Sequence, residues 1–506
     1  MIKWLVAAPL AALLAMSASA ANDEQHHAHP APEKLGEVKF ATACAVAVKP
    51  AFDRALALLH SFAYSLSEQA FRAVSLGDPG CAMAHWGMAM THYHQLWEPP
   101  TDDLRTGKQQ IALAEKIGGG TPRERQFIAA LGEYYRDAAT PALRAQRYAS
   151  AMARVAATNS TDTEAQIFYA LALIATASPT DKTHANQKRA ADILEPIYRR
   201  QPQHPGLAHY LIHAYDSAEL APRGLAAARA YALIAPSAPH ALHMPSHIFT
   251  RLGLWNDSIA SNLAARAAAH AQGDLGEELH AMDYLTYAYL QRGRFAEAQR
   301  LVGEARSMTG LPASQFKIGY AATAMPVRLA IERHDWNGAA SLEPLPGLPP
   351  QVVALVYWAR ALGHARATTS SSALNDIEKL RARLSELRNS GNAYWATQVD
   401  VMLKEAEAWS FAGDRRMDQA VASLRSAADV EDGIEKLPVT PGPIVPAREQ
   451  LGELLLLLKQ PQQALREFQA ALLLSPGRHG AIAGAITAAE QIGDTRTANQ
   501  LRAQLH

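Results

Sequence analysis

The chain has 506 residues, of which 49% are hydrophobic and 19% are charged, and its 48 basic residues balance 48 acidic ones. This composition supplies enough apolar surface for a large core and excludes a chain that is disordered throughout. The formal net charge of zero removes the electrostatic basis for binding nucleic acid or an anionic membrane surface, so we expect neither partner.

The first twenty residues have the features of a secretory signal peptide. Lys3 gives a positive start, an apolar run occupies residues 4–16, and small residues at 18–20 form a cleavage site. The run is too short to span a bilayer as a stable helix. We predict cleavage near Ala20, a periplasmic or secreted protein, and no membrane insertion after the signal is removed.

Residues 21–46 form a polar leader that contains histidine and proline. The only two cysteines of the sequence are Cys44 and Cys81. An even number of cysteines in an exported protein favours a disulfide between them. The alternative is a reactive or metal-binding thiol, although the sequence has no Cys-x-x-Cys pair to support it.

From about residue 47 onward, the hydrophobic pattern is that of helix, short turn and helix, with no convincing strand run. The pattern repeats along the chain. The clearest copy runs from Val445 to Arg478, with small or aromatic residues at regular positions and a proline at its end. These are Leu451, Gly452, Ala464, Phe468, Ala471 and Pro476, and similar copies begin near Pro50 and at Leu279.

This pattern resembles the tetratricopeptide repeat, a helix pair of 34 residues with small residues at fixed contacts and a closing proline. The resemblance implies an all-α fold, namely an α-solenoid of stacked helix-turn-helix repeats. Good copies lie in residues 47–309 and 441–506, whereas residues 310–440 match poorly and are interpreted as degenerate helical repeats. In this family the first helix of each pair lines a concave groove, which commonly binds a protein or peptide.

Five histidines recur in register within the first of these regions. His209 and His213 lie 34 residues before His243 and His247, which is one repeat period. Residues three, four and seven positions apart share one face of a helix, so His240 joins His243 and His247 in one stripe. Because adjacent repeats stack side by side, the stripes should converge on one patch of the groove.

The next repeat continues this patch with His280, Asp283 and Tyr287, which align without gaps with the three histidines of the stripe before it. If the patch is catalytic, these three residues are the candidates for acid–base chemistry. The LAHYLIHAYD helix supplies Tyr210, Tyr215 and Asp216 as candidate outer partners for histidine ligands.

Neutral imidazole is a good ligand for zinc, copper, nickel and iron, and a pair four residues apart can hold one ion. The histidines therefore indicate a transition-metal site, with copper or zinc as the first choice and iron as another. His85 and His92 are further candidate ligands. No nucleotide or organic cofactor is indicated, because the sequence lacks a phosphate-binding glycine loop and a dinucleotide fingerprint.

Three functions stay open on this evidence. The first is an exported scaffold that binds a ligand or protein partner in its groove and a transition metal through the histidines. The second is a metal-dependent hydrolase or oxidoreductase, whose metal keeps an open position for water or substrate. The third is a metal-free scaffold for protein–protein interaction, the commonest use of the repeat.

Overall fold

The computed structural model describes residue 1 and residues 33–97, 99–137, 139–367 and 370–505. The expected signal peptide from residue 2 onward and residues 21–32 of the leader, with its histidines, lie outside the described residues. The chain divides into two units, residues 1–33 and residues 34–506, and every element below belongs to the second. Within the described ranges the structure is helical, without strands, which confirms the predicted all-α solenoid.

A short 3-10 helix, Val46–Val48, precedes the α-helices, which follow one another with short connections. The N-terminal helices are α1 (Lys49–His60), α2 (Tyr64–Gly77), α3 (Ala82–Thr91), α4 (Thr101–Ile117), α5 (Pro122–Tyr135), α6 (Pro141–Thr158), α7 (Thr163–Ala175) and α8 (Ala185–Arg200). The central helices are α9 (Pro205–Ala214), α10 (Ala221–Ile234), α11 (Pro239–His243), α12 (Pro245–Arg251), α13 (Trp255–Gln272), α14 (Leu275–Gln291), α15 (Phe295–Ser307), α16 (Phe316–Glu332) and α17 (Trp336–Ala340). The C-terminal helices are α18 (Pro350–Ala367), α19 (Ser370–Asn389), α20 (Ala393–Gly413), α21 (Met417–Asp432), α22 (Ala447–Leu457), α23 (Pro461–Leu474), α24 (His479–Gln491) and α25 (Thr495–Arg502).

Consecutive helices pack against each other through the small and aromatic positions of the repeat. The buried ring of Phe468 on α23 lies between α22 and α24. A Cβ atom on Gly452 or Gly484 would come within 2.8 or 2.3 Å of that ring. Glycine at both positions therefore lets the two helices approach the aromatic side chain closely, as the repeat pattern requires.

The connection between α21 and α22 folds back onto the centre of the chain. This non-helical segment, residues 434–446, contains Pro441-Gly442-Pro443, and proline at these positions blocks helix formation. The backbone N–H of Glu435 donates to the carbonyl of Pro179 at 2.7 Å, and Tyr284 on α14 donates to the carbonyl of Thr440 at 3.2 Å. Residues from the C-terminal repeats thus cover part of the face formed by the central helices.

Two further contacts connect the N-terminal helices to each other and to the central helices. Cys44 and Cys81 form a disulfide with their Cα atoms 4.8 Å apart, which ties the segment before α1 to the start of α3. The α1 helix also packs against α9, which brings His60 at the end of α1 to the centre of the fold. None of the described helices combines the length and the apolarity needed to cross a bilayer.

Candidate metal centre

Six histidines from three neighbouring helical segments meet in the interior of the central repeats. The α9 helix supplies two of them, the consecutive helices α11 and α12 supply three, and α14 supplies one. None of the six is more than 7% exposed. They form two groups of three, each with one ligand nitrogen per residue within 4.8 Å of the other two: His209, His213 and His240, and then His243, His247 and His280.

The first histidine triad comprises His209, His213 and His240. The Nε2 atom of His209 lies 3.1 Å from Nε2 of His213 and 3.2 Å from Nε2 of His240. Three imidazole nitrogens therefore converge on one point from two helices, α9 and α11. The ring of Phe62, whose centroid is 4.4 Å from that of His209, packs over this triad.

The second histidine triad comprises His243, His247 and His280. The Nε2 atoms of His243 and His247 are 3.1 Å apart, and the ring of His280 lies 4.3 Å from that of His243, between centroids. Tyr284 packs over this triad much as Phe62 packs over the first, with its ring centroid 4.7 Å from that of His243.

His240, His243 and His247 stay on one face although the helix that carries them is interrupted. Met244 separates α11 from α12, because Pro245, the first residue of α12, has no N–H to donate to the helix before it. The N–H of Met244 nevertheless donates to the carbonyl of His240 at 2.9 Å. The turn is therefore continuous enough to keep the three side chains on one face, so that His240 reaches the first triad while His243 and His247 reach the second.

Outer partners orient the rings of the first triad. The Nδ1 of His209 donates to the backbone carbonyl of His60 at 2.6 Å. The Nδ1 of His240 lies 3.3 Å from a carboxylate oxygen of Glu277, whose other oxygen accepts from Lys317 at 2.6 Å. Burial alone would raise the pKa of Glu277, but the charge of Lys317 and the contact with His240 hold it well below its usual range. Glu277 is therefore a carboxylate.

The second triad is oriented in the same way. The Nδ1 of His243 donates to the side-chain oxygen of Asn262 at 2.6 Å, and the amide of Asn262 is fixed because its nitrogen donates to the carbonyl of Ser258 at 2.8 Å. The Nδ1 of His247 donates to Asp216 at 2.9 Å. Although burial would raise the pKa of Asp216, the charges of Lys436 and Arg251 beside it keep this carboxyl ionised.

These contacts leave the second triad with opposed lone pairs. Burial lowers the pKa of His243 well below its usual range and lowers that of His247 to about 4. Both rings are therefore neutral at pH 7, and each uses its single proton at Nδ1. Their Nε2 atoms face each other without a proton between them. The hydroxyl of Tyr284 also lies 3.4 Å from Nε2 of His247, but the carbonyls of Pro438 and Thr440 are closer acceptors for its single proton, at 3.3 and 3.2 Å. Two imidazole nitrogens that bind one tetrahedral zinc ion at about 2.0–2.1 Å stand roughly 3.3 Å apart, so the observed spacing suits a shared cation.

Of the three acid–base candidates, only His280 belongs to a triad. The carboxylate of Asp283 accepts from the guanidinium of Arg328 at 3.0 Å, and burial raises the pKa of Asp283. The hydroxyl of Tyr287 accepts from Arg478 at 3.0 Å. Asp283 and Tyr287 thus pair with buried arginines from α16 and from the start of α24, away from the histidine nitrogens.

The two further ligand candidates lie elsewhere in the fold. The Nδ1 of His85 contacts Gln110 at 2.8 Å, and the Nδ1 of His92 contacts Asp103 at the same distance. Neither joins a group of three potential ligands among the described residues.

A third buried group consists of His60, Glu164 and His204. Repeat alignment does not predict it, because Glu164 and His204 do not recur in register with the other histidines. The two carboxylate oxygens of Glu164 lie 3.1 Å from Nε2 of His60 and 2.9 Å from Nε2 of His204. Burial would raise the pKa of Glu164, but the two histidines beside it lower this pKa strongly. The group is a buried hydrogen-bond network, and it fixes the end of α1 whose carbonyl holds His209.

A cavity of about 110 Å³ reaches the edge of the first triad. Its wall includes His213 and Asp216 on one side and Lys436 and Pro438 of the returning segment on the other. The histidine face expected to line an open groove is therefore enclosed, and this cavity touches it at His213.

The sequence matches no protein-family model and no curated protein. Among solved structures, the human IFIT1 dimer with m7Gppp-AAAA is similar over 84% of this chain and 89% of that chain, at 11% identity and a TM-score of 0.38. The P58(IPK) TPR domain is similar over 89% of this chain and 99% of that chain, at 11% identity and a TM-score of 0.23. Naa15/Naa10 bound to HypK-THB is similar over 90% of this chain and 69% of that chain, at 10% identity and a TM-score of 0.23. At these identities and TM-scores, none of these likenesses carries a ligand or partner to this chain.

Proposed function

We propose that this protein is an exported helical-repeat scaffold that binds a transition metal through its buried histidine triads. The observation that carries the proposal is the 3.1 Å separation of the Nε2 atoms of His243 and His247. Each ring has its Nδ1 committed to an outer acceptor, so a cation is the natural partner for both lone pairs. The signal-like N-terminus and the disulfide support export.

The ligand set favours copper or zinc, with iron as a further choice. All six converging groups are imidazoles, which suit these metals, whereas magnesium and calcium require oxygen ligands. The nearby carboxylates of Glu277 and Asp216 contact histidine Nδ1 atoms and lysines, which is an outer-shell role. Outer carboxylates of this kind raise the basicity of the ligating ring and fix its orientation.

Enclosure of the histidines argues against a peptide as their main ligand. Residues 437–440 lie over α14, where Tyr284 donates to the carbonyls of Pro438 and Thr440 at 3.3 and 3.2 Å. A peptide would have to displace this segment to reach the triads. A metal ion needs only a narrow path, and the cavity beside His213 supplies one.

That cavity also supports a second candidate function, a metal-dependent enzyme. Catalytic metal sites have three protein ligands and keep a further position for water or substrate. Each triad provides three imidazoles, and the cavity touches His213 of the first triad. Turnover of a small substrate at a loaded site would distinguish an enzyme from a binding scaffold.

Metal content tests the proposal directly. The mature protein is produced by export to a periplasm, purified without a histidine tag, and analysed by mass spectrometry for bound metals. We expect copper, zinc or iron in stoichiometric amount, reduced in a His243→Ala/His247→Ala variant. The matched control is His85→Ala/His92→Ala, which removes two histidines outside the triads and should keep its metal. A wild-type protein that stays metal-free after reconstitution with each ion would overturn the proposal.

A further inference from the structure

We infer that the two histidine triads form a dinuclear centre, in which each triad holds one metal ion and a small anionic ligand bridges the two ions. The inference rests on the proposed function and specifies its site. It is carried by the duplicated construction of the triads, by their proximity, and by the charges that surround them.

The two triads are built on the same plan. In each, one histidine donates to a neutral oxygen: His209 donates to the carbonyl of His60, and His243 donates to the amide oxygen of Asn262. In each, a second histidine contacts a buried carboxylate that also accepts from a lysine.

These second contacts are His240 with Glu277 and Lys317 in one triad, and His247 with Asp216 and Lys436 in the other. An aromatic ring covers each set, Phe62 over the first and Tyr284 over the second. One ion would need only one triad with its outer partners and covering ring, whereas two ions would need two.

The triads are also close enough to act together. The α11 helix contributes His240 to one triad and His243 to the other, and the centroids of these two rings are 6.0 Å apart. On the opposite side, the ring of His213 lies 5.9 Å from that of His247. Ions that share a bridging ligand in two-metal sites are about 3.5–4 Å apart. Rings whose centroids lie 5.9 and 6.0 Å apart across the two triads bring the two ion positions near each other.

Charge balance calls for an anion between the ions. Neutral imidazole ligands leave the full charge of two divalent ions in a buried space. The two outer carboxylates cannot compensate for it, because Lys317 and Lys436 already pair with them, and Arg251 also donates to Asp216 at 2.9 Å. A bridging hydroxide, or an exogenous anion of similar size such as azide, would supply the missing negative charge.

The same cavity offers this anion a route. It is lined by His213 from the first triad, by Lys436, whose charge is paired with Asp216 in the same wall, and by Glu435, so this route selects a ligand by its size and not by an excess of positive charge. Phe62 and Tyr284 cover the triads elsewhere, so exchange through this side fits a small ligand and excludes a large one.

The first test is stoichiometry. Metal-free wild-type protein is titrated with Cu(II) and, separately, with Zn(II), and bound metal is counted after gel filtration. We expect two ions per chain in the wild type and one in each single-triad variant, His213→Gln and His280→Gln. Far-UV circular dichroism verifies that both variants are folded. One ion in the wild type, lost from both variants, would overturn the dinuclear centre and leave the proposed function intact, whereas no bound ion would overturn both.

The second test needs no substitution. Bridged Cu(II) ions couple antiferromagnetically, so the fully loaded wild type should give a much weaker electron paramagnetic resonance signal per copper than the one-copper variants. Azide should add a ligand-to-metal absorption band to the loaded wild type, and X-ray absorption should reveal a metal neighbour for each metal. Two bound coppers with full, uncoupled signal and no metal neighbour would contradict the bridge.

Discussion

His243 and His247 direct their Nε2 atoms at each other across 3.1 Å, while Asn262 and Asp216 accept the protons of their Nδ1 atoms. In the absence of a cation, this arrangement opposes two lone pairs in a buried space, which is costly. With a cation, the same arrangement is a preorganised pair of ligands whose outer partners are already in place. The pair therefore connects the packing of the fold to its proposed chemistry.

Asn262 is expected to be a positioning residue for metal binding. In an Asn262→Leu variant, the Nδ1–H of His243 loses its acceptor and the ring is no longer held in one orientation. Loss of an outer partner of this kind lowers metal affinity by about 10- to 100-fold. Competition titrations with a chromophoric chelator would measure this change. Asn262→Asp restores an acceptor at the same place and should recover most of the affinity, so equal loss in both variants would contradict the positioning role.

Gly206 should link the packing of α1 against α9 to the first triad. A Cβ atom at this position would lie 2.6 Å from Nδ1 of the buried His60, so Gly206→Ala must displace that ring. Overpacking of this kind costs about 1–3 kcal/mol, and a shift of His60 would also move the carbonyl that holds His209. We expect a lower midpoint in urea unfolding and weaker metal binding.

Gly303 provides the matched control for this substitution. It lies within α15, and a Cβ atom there would meet nothing within 4 Å. Gly303→Ala should stabilise the helix by about 0.5–1 kcal/mol because alanine is the better helix former. Equal effects of the two substitutions would show that crowding at His60 is not the cause.

Part of this site is predictable from sequence because helices and repeats have fixed periods. Spacings of three, four and seven residues place histidines on one helix face, and a 34-residue period places successive stripes side by side. Alignment fails at Asp283, which occupies the position of His243 in the next repeat but pairs with Arg328 of a later helix. It also cannot foresee Glu277, because this carboxylate reaches His240 from the next repeat, 37 positions along the chain and outside the aligned positions.

Local sequence patterns also cannot predict that the histidines are enclosed. The segment at residues 434–446 is recognisable as non-helical from its prolines, but its position depends on contacts with residues far away in the chain. Lys436 pairs with Asp216 at 2.6 Å across 220 positions of sequence. The groove-facing histidines are buried because of such long-range closure, and helix periodicity carries no information about it.

The disulfide should stabilise the N-terminal repeats. Cys44 and Cys81 are separated by 37 positions, and closing a loop of that size restricts the unfolded chain. The expected contribution is about 2–4 kcal/mol. A reducing agent should therefore lower the melting temperature of the wild type measured by circular dichroism. A Cys44→Ser/Cys81→Ser variant should melt at the lower temperature and show no response to the reductant; a response in that variant would assign the effect to something else.

Acid should destabilise the metal-free protein, because the buried histidines bind protons less readily in the folded state than in the unfolded chain. The pKa of His247 is lowered from 6.5 to about 4, mainly because burial disfavours the charged ring. Between these two pKa values His247 is protonated in the unfolded chain and neutral in the folded protein. Folding stability therefore falls as the pH drops from about 6.5 to about 4. A shift of this size corresponds to about 3 kcal/mol from His247 alone. The lowered pKa values of His209 and His243 act in the same direction.

Urea unfolding of the metal-free protein between pH 7.5 and pH 4.5 would measure this loss. The outer carboxylates contribute little in this range, because an unfolded aspartate or glutamate binds protons only near pH 4. A His247→Gln variant removes one of the titrating rings and should lose less stability over the same interval. Glu431, whose pKa burial raises to about 7, acts in the opposite direction in both proteins, so the difference between them isolates His247. If wild type and variant changed in stability equally, His247 would not be a buried neutral imidazole, and its Nε2 would not be free for a metal.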